Sequence, residues 1–507
     1  MVKISKIYIK NFKFYIDDSI DISEKNFLIY GENGVGKSSL YLALYHLFYA
    51  YFDNTILENI LELKHRNISD TIELTVQFSN YEKIEIIDNS ITDNITILSR
   101  EKIYFLDYRF LEQIIETTDF FETLDKIKNR FLLFDDFFNE LSYIEEYKDS
   151  EDYDLLIDKR IDLDAKIIEK LNKLKDYTNQ IIQELKENFS LNFVFEHSAL
   201  DREARGIKFN RPKIFIEIDS YRDLKLHFNE SKIKILSLAL VFAIIRLTQE
   251  KNISENDDNL NLLVLDDFLS SLDMGNRLYI MEYVFKHFEG YQKIILTHNS
   301  LFFNIVKRLI HVHGRFNLWS YKNIYQSLRD DGFYEPKMLK ERDYLGDAKV
   351  AFNSLDYEHC GNLLRKEIEK IIAQSTFLFQ TGKKEQLEDA IINIRKKNKH
   401  FINANDILGD LATNFFRFKE RQLYNSHIQP ERKLEIMVKK LDDCFDSINI
   451  NSGKLNEILE NINFYQTILN QASHYDNQAE FYRLEYNEAI KDVQKLKDIF
   501  DEFRKLQ

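Results

Sequence analysis

Residues 31–38, Gly31-Glu-Asn-Gly-Val-Gly36-Lys37-Ser38, fit the pattern G-x-x-x-x-G-K-[ST] without a mismatch. In such a loop the backbone N–H groups of residues 33–38 wrap the α- and β-phosphates of a nucleotide. Lys37 neutralises the β/γ oxygens, and the Ser38 hydroxyl ligates Mg²⁺. A second stretch, Leu262-Leu-Val-Leu-Asp266-Asp267, is an apolar run closed by two carboxylates. At the end of a buried strand Asp266 reaches the Mg²⁺ shell beside Ser38, and Asp267 stands where a general base orients the attacking water. Ser270-Ser271-Leu-Asp273 follows, and a third apolar run ends in Thr297-His298-Asn299. A histidine at such a tip can hydrogen-bond a γ-phosphate, or it can simply cap the strand end.

Positioning these groups requires a strand before Gly31 and a helix after it. FLIY at 27–30 supplies the strand, and SSLYLALYHLFYAYF from Ser38 has helical apolar spacing. Alternation at 3–10, an extended pattern at 13–22 and strand-like runs at 72–80, 83–88, 94–98, 191–197 and 213–219 predict further strands, and 102–107 reads as a buried one. Buried strands are expected at 261–267 and 293–298, and an apolar helix around 233–248. Residues 110–190 read as charged helix, too short for a long coiled-coil arm. The α/β pattern closes near residue 320, and the rest reads as helical. Gly332 and Pro336 make 320–345 the best linker candidate.

Composition bounds the classes. The 507 residues are 44% hydrophobic, enough for two to four domains with real cores, which excludes a disordered chain. Lys and Arg total 69 against 84 Asp and Glu, a net charge of −15, so any nucleic-acid contact must be local. Two cysteines, Cys360 and Cys444, form neither a disulfide framework nor a zinc motif. No apolar run is long enough to span a membrane and the N-terminus lacks a signal-peptide pattern, so a cytoplasmic location is expected. Of only 13 glycines, Gly31, Gly34 and Gly36 fall together in the loop, which marks a backbone requirement there.

The order of these motifs resembles ABC-type ATPase heads of the RecF/SMC class. VLDDFLSSLDMGNR and ILTHNSLFFNIV are similar to stretches of the PrrC/RloC anticodon-nuclease group of prokaryotic defence ATPases, and IYIKNFKFY resembles the first strand of the class. The resemblance covers roughly residues 1–320. It implies ATP and Mg²⁺ as cofactors, with ATP held by Gly31, Asn33, Gly34, Gly36, Lys37, Ser38 and Ser39. It further makes Ser38 and Asp266 the Mg²⁺ ligands, Asp267 the catalytic base and His298 the γ-phosphate switch. Most relatives carry Glu at the base, and the shorter Asp267 implies slow hydrolysis. The class also has a signature segment that reaches the nucleotide of a partner head. Asn229 and Ser231 are the best match, with Ser271 and Asp273 in the following loop, although Asn229 could equally be a plain helix cap. The glutamine expected after the strand before the insertion is open between Asp107 and Gln113.

The resemblance divides the chain into an α/β P-loop ATPase head at 1–320 with a helical insertion at about 110–190, a linker at 321–345, and an all-α effector or docking domain at 346–507. Arg365 and Glu369 stand at i and i+4 on one helix face, and His474 lies far downstream. The same nuclease group has an Arg-x-x-x-Glu pair and a distant His in a metal-independent, HEPN-like helical domain. That would make Arg365 the stabiliser of a phosphorane, Glu369 its orienter and His474 the proton carrier for 2′-hydroxyl attack. The Arg-x(4–6)-His spacing usual for that domain is absent, and the bland reading is a surface ion pair. Arg395, Lys396, Lys397, Lys399 and His400 offer local phosphate affinity or a solvated helix face. The implied partners are a second copy of the chain in a head-to-head dimer or higher oligomer, an effector or sensor protein, and tRNA, other RNA or DNA. The expected function is an ATPase whose head closure controls a toxic RNA-cutting activity in antiphage defence. The alternative is a RecF/SMC-like DNA-binding repair ATPase.

Overall fold

A computed structural model describes residues 2–65, 71–92, 95–147, 153–203, 206–251, 259–270, 272–313, 316–330, 332, 334–340, 343–375, 457–459, 461 and 483–505. They form two compact units, Met1–Ile310 with Arg315–Glu341, and His311–Gly314 with Arg342–Gln507.

The first unit begins with β1 (Ile4–Phe12), β2 (Tyr15–Asp21), β3 (Asn26–Gly31) and α1 (Lys37–Phe52). Then come β4 (Glu73–Phe78), β5 (Lys83–Ile87), β6 (Ser90–Ile91) and β7 (Ile103–Asp107). The helices α2 (Tyr108–Gln113), α3 (Phe120–Ile127), α4 (Asp135–Tyr147) and α5 (Tyr153–Glu184) follow. Next are β8 (Leu191–Glu196), β9 (Ala199–Glu203), β10 (Gly206–Asn210), β11 (Lys213–Ile218), α6 (Leu224–His227) and α7 (Glu230–Lys251). The run closes with β12 (Leu262–Asp266), α8 (Met274–His287), β13 (Gln292–Thr297), α9 (Ser300–Val312), β14 (Trp319–Leu328) and β15 (Tyr334–Lys340).

Two sheets result. One is antiparallel in the order β2-β1-β4-β5-β6; the other has six strands in the order β15-β14-β3-β13-β12-β7. In the second, β14, β3, β13, β12 and β7 run parallel, and all of β12 and β13 are buried. A strand covered on both faces is apolar along its middle, which is why Leu262–Leu265 and Ile294–Leu296 read so clearly; the buried Gln292 and Lys293 at the start of β13 donate to backbone carbonyls instead. Alternate side chains serve two cores. Leu262 and Val264 join Phe27, Ile29 and Phe105 against the antiparallel sheet and α1, while Leu263 and Leu265 join the core beneath the insertion helices. On the α1 side Phe105 packs against Tyr41, Tyr45, Phe48 and Tyr49, fixing that helix against the sheet.

The insertion is helical as expected from α2 to α5. At 32 residues, α5 is roughly 48 Å long. Two hairpins, β8 with β11 and β9 with β10, extend it; the second pair has no counterpart in the sequence reading. Residues 95–98 form no strand, and the short β6 takes the sheet edge instead.

The linker expected at 321–345 is corrected. Its residues through Leu328 belong to β14 and those from Tyr334 to Lys340 to β15, which pair as a hairpin, with β14 parallel to β3 in the register Trp319↔Asn26 to Ile324↔Gly31. The two residues read as linker signals have other causes. Gly332 sits at φ 81° between the strands, and Pro336 lies on the outermost strand, the place in a sheet where proline is tolerated.

In the second unit α10 (Tyr344–Asn353), α11 (Tyr357–Ser375) and α12 (Arg483–Lys505) pack around Leu363, Leu364, Ile368, Val493 and Leu496. The described residues of this unit are helical. Glu367 is buried there, with Lys497 Nζ 3.5 Å from its Oε1.

Candidate functional site

Parallel register brings the ends of β3, β13, β12 and β7 to one edge of the six-stranded sheet. Asp266 is level with Leu296 on one side and Asp107 on the other, and Thr297 is level with Tyr30. Loops leaving such an edge at a change of strand order form the natural crevice of an open α/β sheet. Here they are the glycine loop, the Asp266-Asp267 turn and the Thr297-His298-Asn299 turn.

Gly36 precedes α1 with φ 104°, a conformation a Cβ would strain, and its Cβ would meet Phe14 Cδ1 at 3.1 Å. Gly31 is required for a different reason. A Cβ there would lie 2.8 Å from Val35 Cγ2 and 2.9 Å from the Ile324 carbonyl of the neighbouring strand. Gly31→Ala is therefore expected to destabilise the first unit by about 1–3 kcal/mol through displacement of β14. A chemical-denaturation midpoint equal to wild type would refute that close approach.

Glu32, Asn33, Gly34 and Ser38 are exposed, Ser39 is half-buried, and Lys37 is buried beneath them. The Lys37 ammonium donates to the carbonyls of Gly31 at 2.7 Å and Glu32 at 2.8 Å. Burial pulls its pKa below the usual lysine range, against the opposing pull of Asp267 and Asp266.

Asp266 is 5% exposed, and its Oδ1 is buried without a hydrogen-bond partner. Burial first, then the neighbouring Asp267 and the more distant Asp107, push its pKa up to about 7, while the Ser38 hydroxyl and Lys37 oppose that rise. A buried carboxylate oxygen left unpaired is costly unless a cation meets it. The Ser38 hydroxyl beside Asp266 is a hard-oxygen donor set that fits Mg²⁺, which keeps most of its shell as water and phosphate.

Asp267 has φ 45°, unusual for any residue but glycine and tolerated by Asp. Its N–H donates to the Leu296 carbonyl (3.0 Å), and its Oδ1 accepts the His298 N–H (2.9 Å). The His298 Nδ1 lies 2.9 Å from Asp267 Oδ2, out of line for a hydrogen bond. The structure thus joins two groups that were read as separate. No spacing in the sequence signals that tie, because the register of β12 on β13 creates it.

The remaining expected residues are placed as follows. Asn229 caps α7: its side-chain oxygen accepts the Lys232 N–H at 2.9 Å. Ser231 Oγ lies 3.5 Å from Asn276 Nδ2, and Asp273 caps α8 through the Asn276 N–H at 2.9 Å. Ser271 lies outside the described residues. Asp107 caps α2 through the Phe110 N–H at 2.8 Å, whereas Gln113 lines a cleft of about 640 Å³ with Arg109, Glu112, Lys225, Phe228 and Glu230. Arg365 and Glu369 form an ion pair at 3.1 Å on α11 of the second unit. His474 and the run 395–400 lie outside the described residues. Sequence reading also missed Phe14 and Pro336, whose side chains crowd Gly36 from the β1–β2 turn and from β15.

Among the described residues no helix is long and apolar enough to cross a membrane. The family described as the RecF/RecN/SMC N terminal domain matches residues 3–317. No curated protein matches. Among solved structures the chain is similar to the recombination mediator protein RecF with ATP, at 17% identity over 66% of this chain and 98% of that one, TM-score 0.40. It is also similar to an Smc head bound to the C-terminal winged-helix domain of ScpA, at 13% identity over 67% and 98%, TM-score 0.36. A third, an Smc head with an extended coiled coil bound to a ScpA domain, derived from Pyrococcus furiosus, has 16% identity over 70% and 100%, TM-score 0.31.

Proposed function

We propose that this chain, which belongs to the RecF/RecN/SMC N terminal domain family, binds ATP on the loop 31–39 and hydrolyses it. The observation that carries this reading is the unpaired, buried Asp266 oxygen beside Ser38 and the glycine loop. The phosphates lie on the N–H groups that open α1. Lys37 exchanges its two carbonyl acceptors for phosphate oxygens, a stronger charge-assisted pairing. Ser38 and Asp266 hold Mg²⁺, whose charge offsets that of the phosphates. Asp267 orients a water and accepts its proton at a carboxylate oxygen, and the His298 N–H steadies that carboxylate. Asn229, Ser231, Ser271 and Asp273 serve the nucleotide of a second copy in a head-to-head dimer.

For the output, the motif resemblance to the PrrC/RloC group supports ATP-controlled cutting of RNA, with Arg365, Glu369 and His474 in the second unit or with the cutting activity on a partner protein. A second reading, a DNA-binding repair ATPase, draws its support from the family itself. One experiment separates them. Purified chain with ATP and Mg²⁺ is incubated with total tRNA or with duplex DNA, beside Arg365→Ala and His474→Ala. Cyclic-phosphate tRNA ends that vanish in both variants are expected for the first reading. Intact tRNA together with ATP-dependent duplex binding would replace it with the second.

A further inference from the structure

Arg277 is 6% exposed, yet it has no carboxylate hydrogen-bonded to its guanidinium among the contacts that hold it. From the first turn of α8 its Nε donates to the Leu272 carbonyl at 2.7 Å and its Nη2 to the Ser270 carbonyl at 2.8 Å. Its face lies 5.8 Å from the ring centre of Phe302, on the first turn of α9 just beyond His298. The backbone it grips consists of two tight turns, Ser270 N–H to the Asp267 carbonyl at 3.1 Å and Leu272 N–H to the Leu269 carbonyl at 3.1 Å. The same guanidinium therefore fixes residue 270, residue 270 fixes the Asp267 carbonyl, and Asp267 is the residue held at φ 45° with its carboxylate on His298. A planar guanidinium presents its two donors in a fixed, pre-organised fork, whereas an ammonium at the end of a flexible stem is a compact point charge that loses more freedom per hydrogen bond and cannot reproduce this spacing of Nε and Nη2.

We propose that Arg277 is a positioning residue for the hydrolytic step, holding the Ser270 and Leu272 carbonyls and, through the Ser270 N–H, the turn that aims Asp267. The inference rests on the proposed hydrolysis of ATP and adds to it a residue that touches neither nucleotide nor metal. Asp267 and Asp273 lend their charge to Arg277, while Lys234 on α7 is repelled by it, so the guanidinium sits where two acidic turns and two helices converge.

The test uses the full chain with Mg²⁺. Wild type, Arg277→Lys and Arg277→Ala are compared in steady-state ATP hydrolysis, in ATP affinity by calorimetry, and in Arg277→Ala hydrolysis with added guanidinium ion. A displaced catalytic group costs about 10- to 100-fold in kcat. That loss is expected for Arg277→Ala, with ATP Kd within about twofold of wild type, partial recovery in Arg277→Lys and a rise in rate with guanidinium. A kcat within about twofold of wild type would overturn the proposal. So would joint loss of kcat and ATP affinity that guanidinium fails to restore, since that marks a merely structural arginine. Wild type that binds ATP but never hydrolyses it would overturn the underlying reading instead, and this proposal with it.

Discussion

Lys37→Ala is expected to weaken ATP binding by at least about 100-fold, measured by calorimetry in Mg²⁺. Lys37 is 4% exposed, and its ammonium is held beneath the loop by the Gly31 and Glu32 carbonyls. Two opposing effects bear on the substitution. Removing a buried cation relieves its desolvation, but it strips two carbonyls of their donor and leaves Asp266 and Asp267 without the positive charge that counters their repulsion. The phosphates then meet two acids and no lysine. Affinity equal to wild type would remove loop 31–39 from nucleotide binding altogether.

Asp267→Asn is expected to lower ATP turnover by about 10²- to 10⁴-fold, the range for loss of a general base, while leaving ATP affinity in place. The substitution isolates the proton-accepting role because little else changes. Asn tolerates φ 45° nearly as well as Asp, and its side-chain oxygen can still accept the His298 N–H. With hydrolysis blocked, ATP-bound chains should accumulate as a dimer, read by light scattering with ATP present and absent. Normal turnover in Asp267→Asn would transfer the base role to another residue.

Much of the head could be read from the sequence because its signals are local. The glycine loop is eight consecutive residues, and the acids of β12 follow directly on an uninterrupted apolar strand. What stayed hidden depends on distant contacts. The hairpin at 319–340 was masked by Gly332 and Pro336, because a proline marks a break in most strands but is harmless on the outermost one. Arg277 closes the stretch VLDDFLSSLDMGNR, but nothing local in that stretch shows that the turns beside it present two carbonyls to its guanidinium. Asn229 could be read as cap or signature, and within one chain it is seen capping α7.

The left-handed backbone at Asp267 also limits how this site can vary over generations. Gly, Asn and Asp occupy such a conformation most readily, so neutral drift at this position is biased toward three residues, two of which lack a carboxylate. A longer glutamate here would carry more of the strain of a left-handed backbone. A change in the turns that follow Asp267 would ease that strain, so the proposed base and the arginine proposed to position it would be favoured as a linked pair.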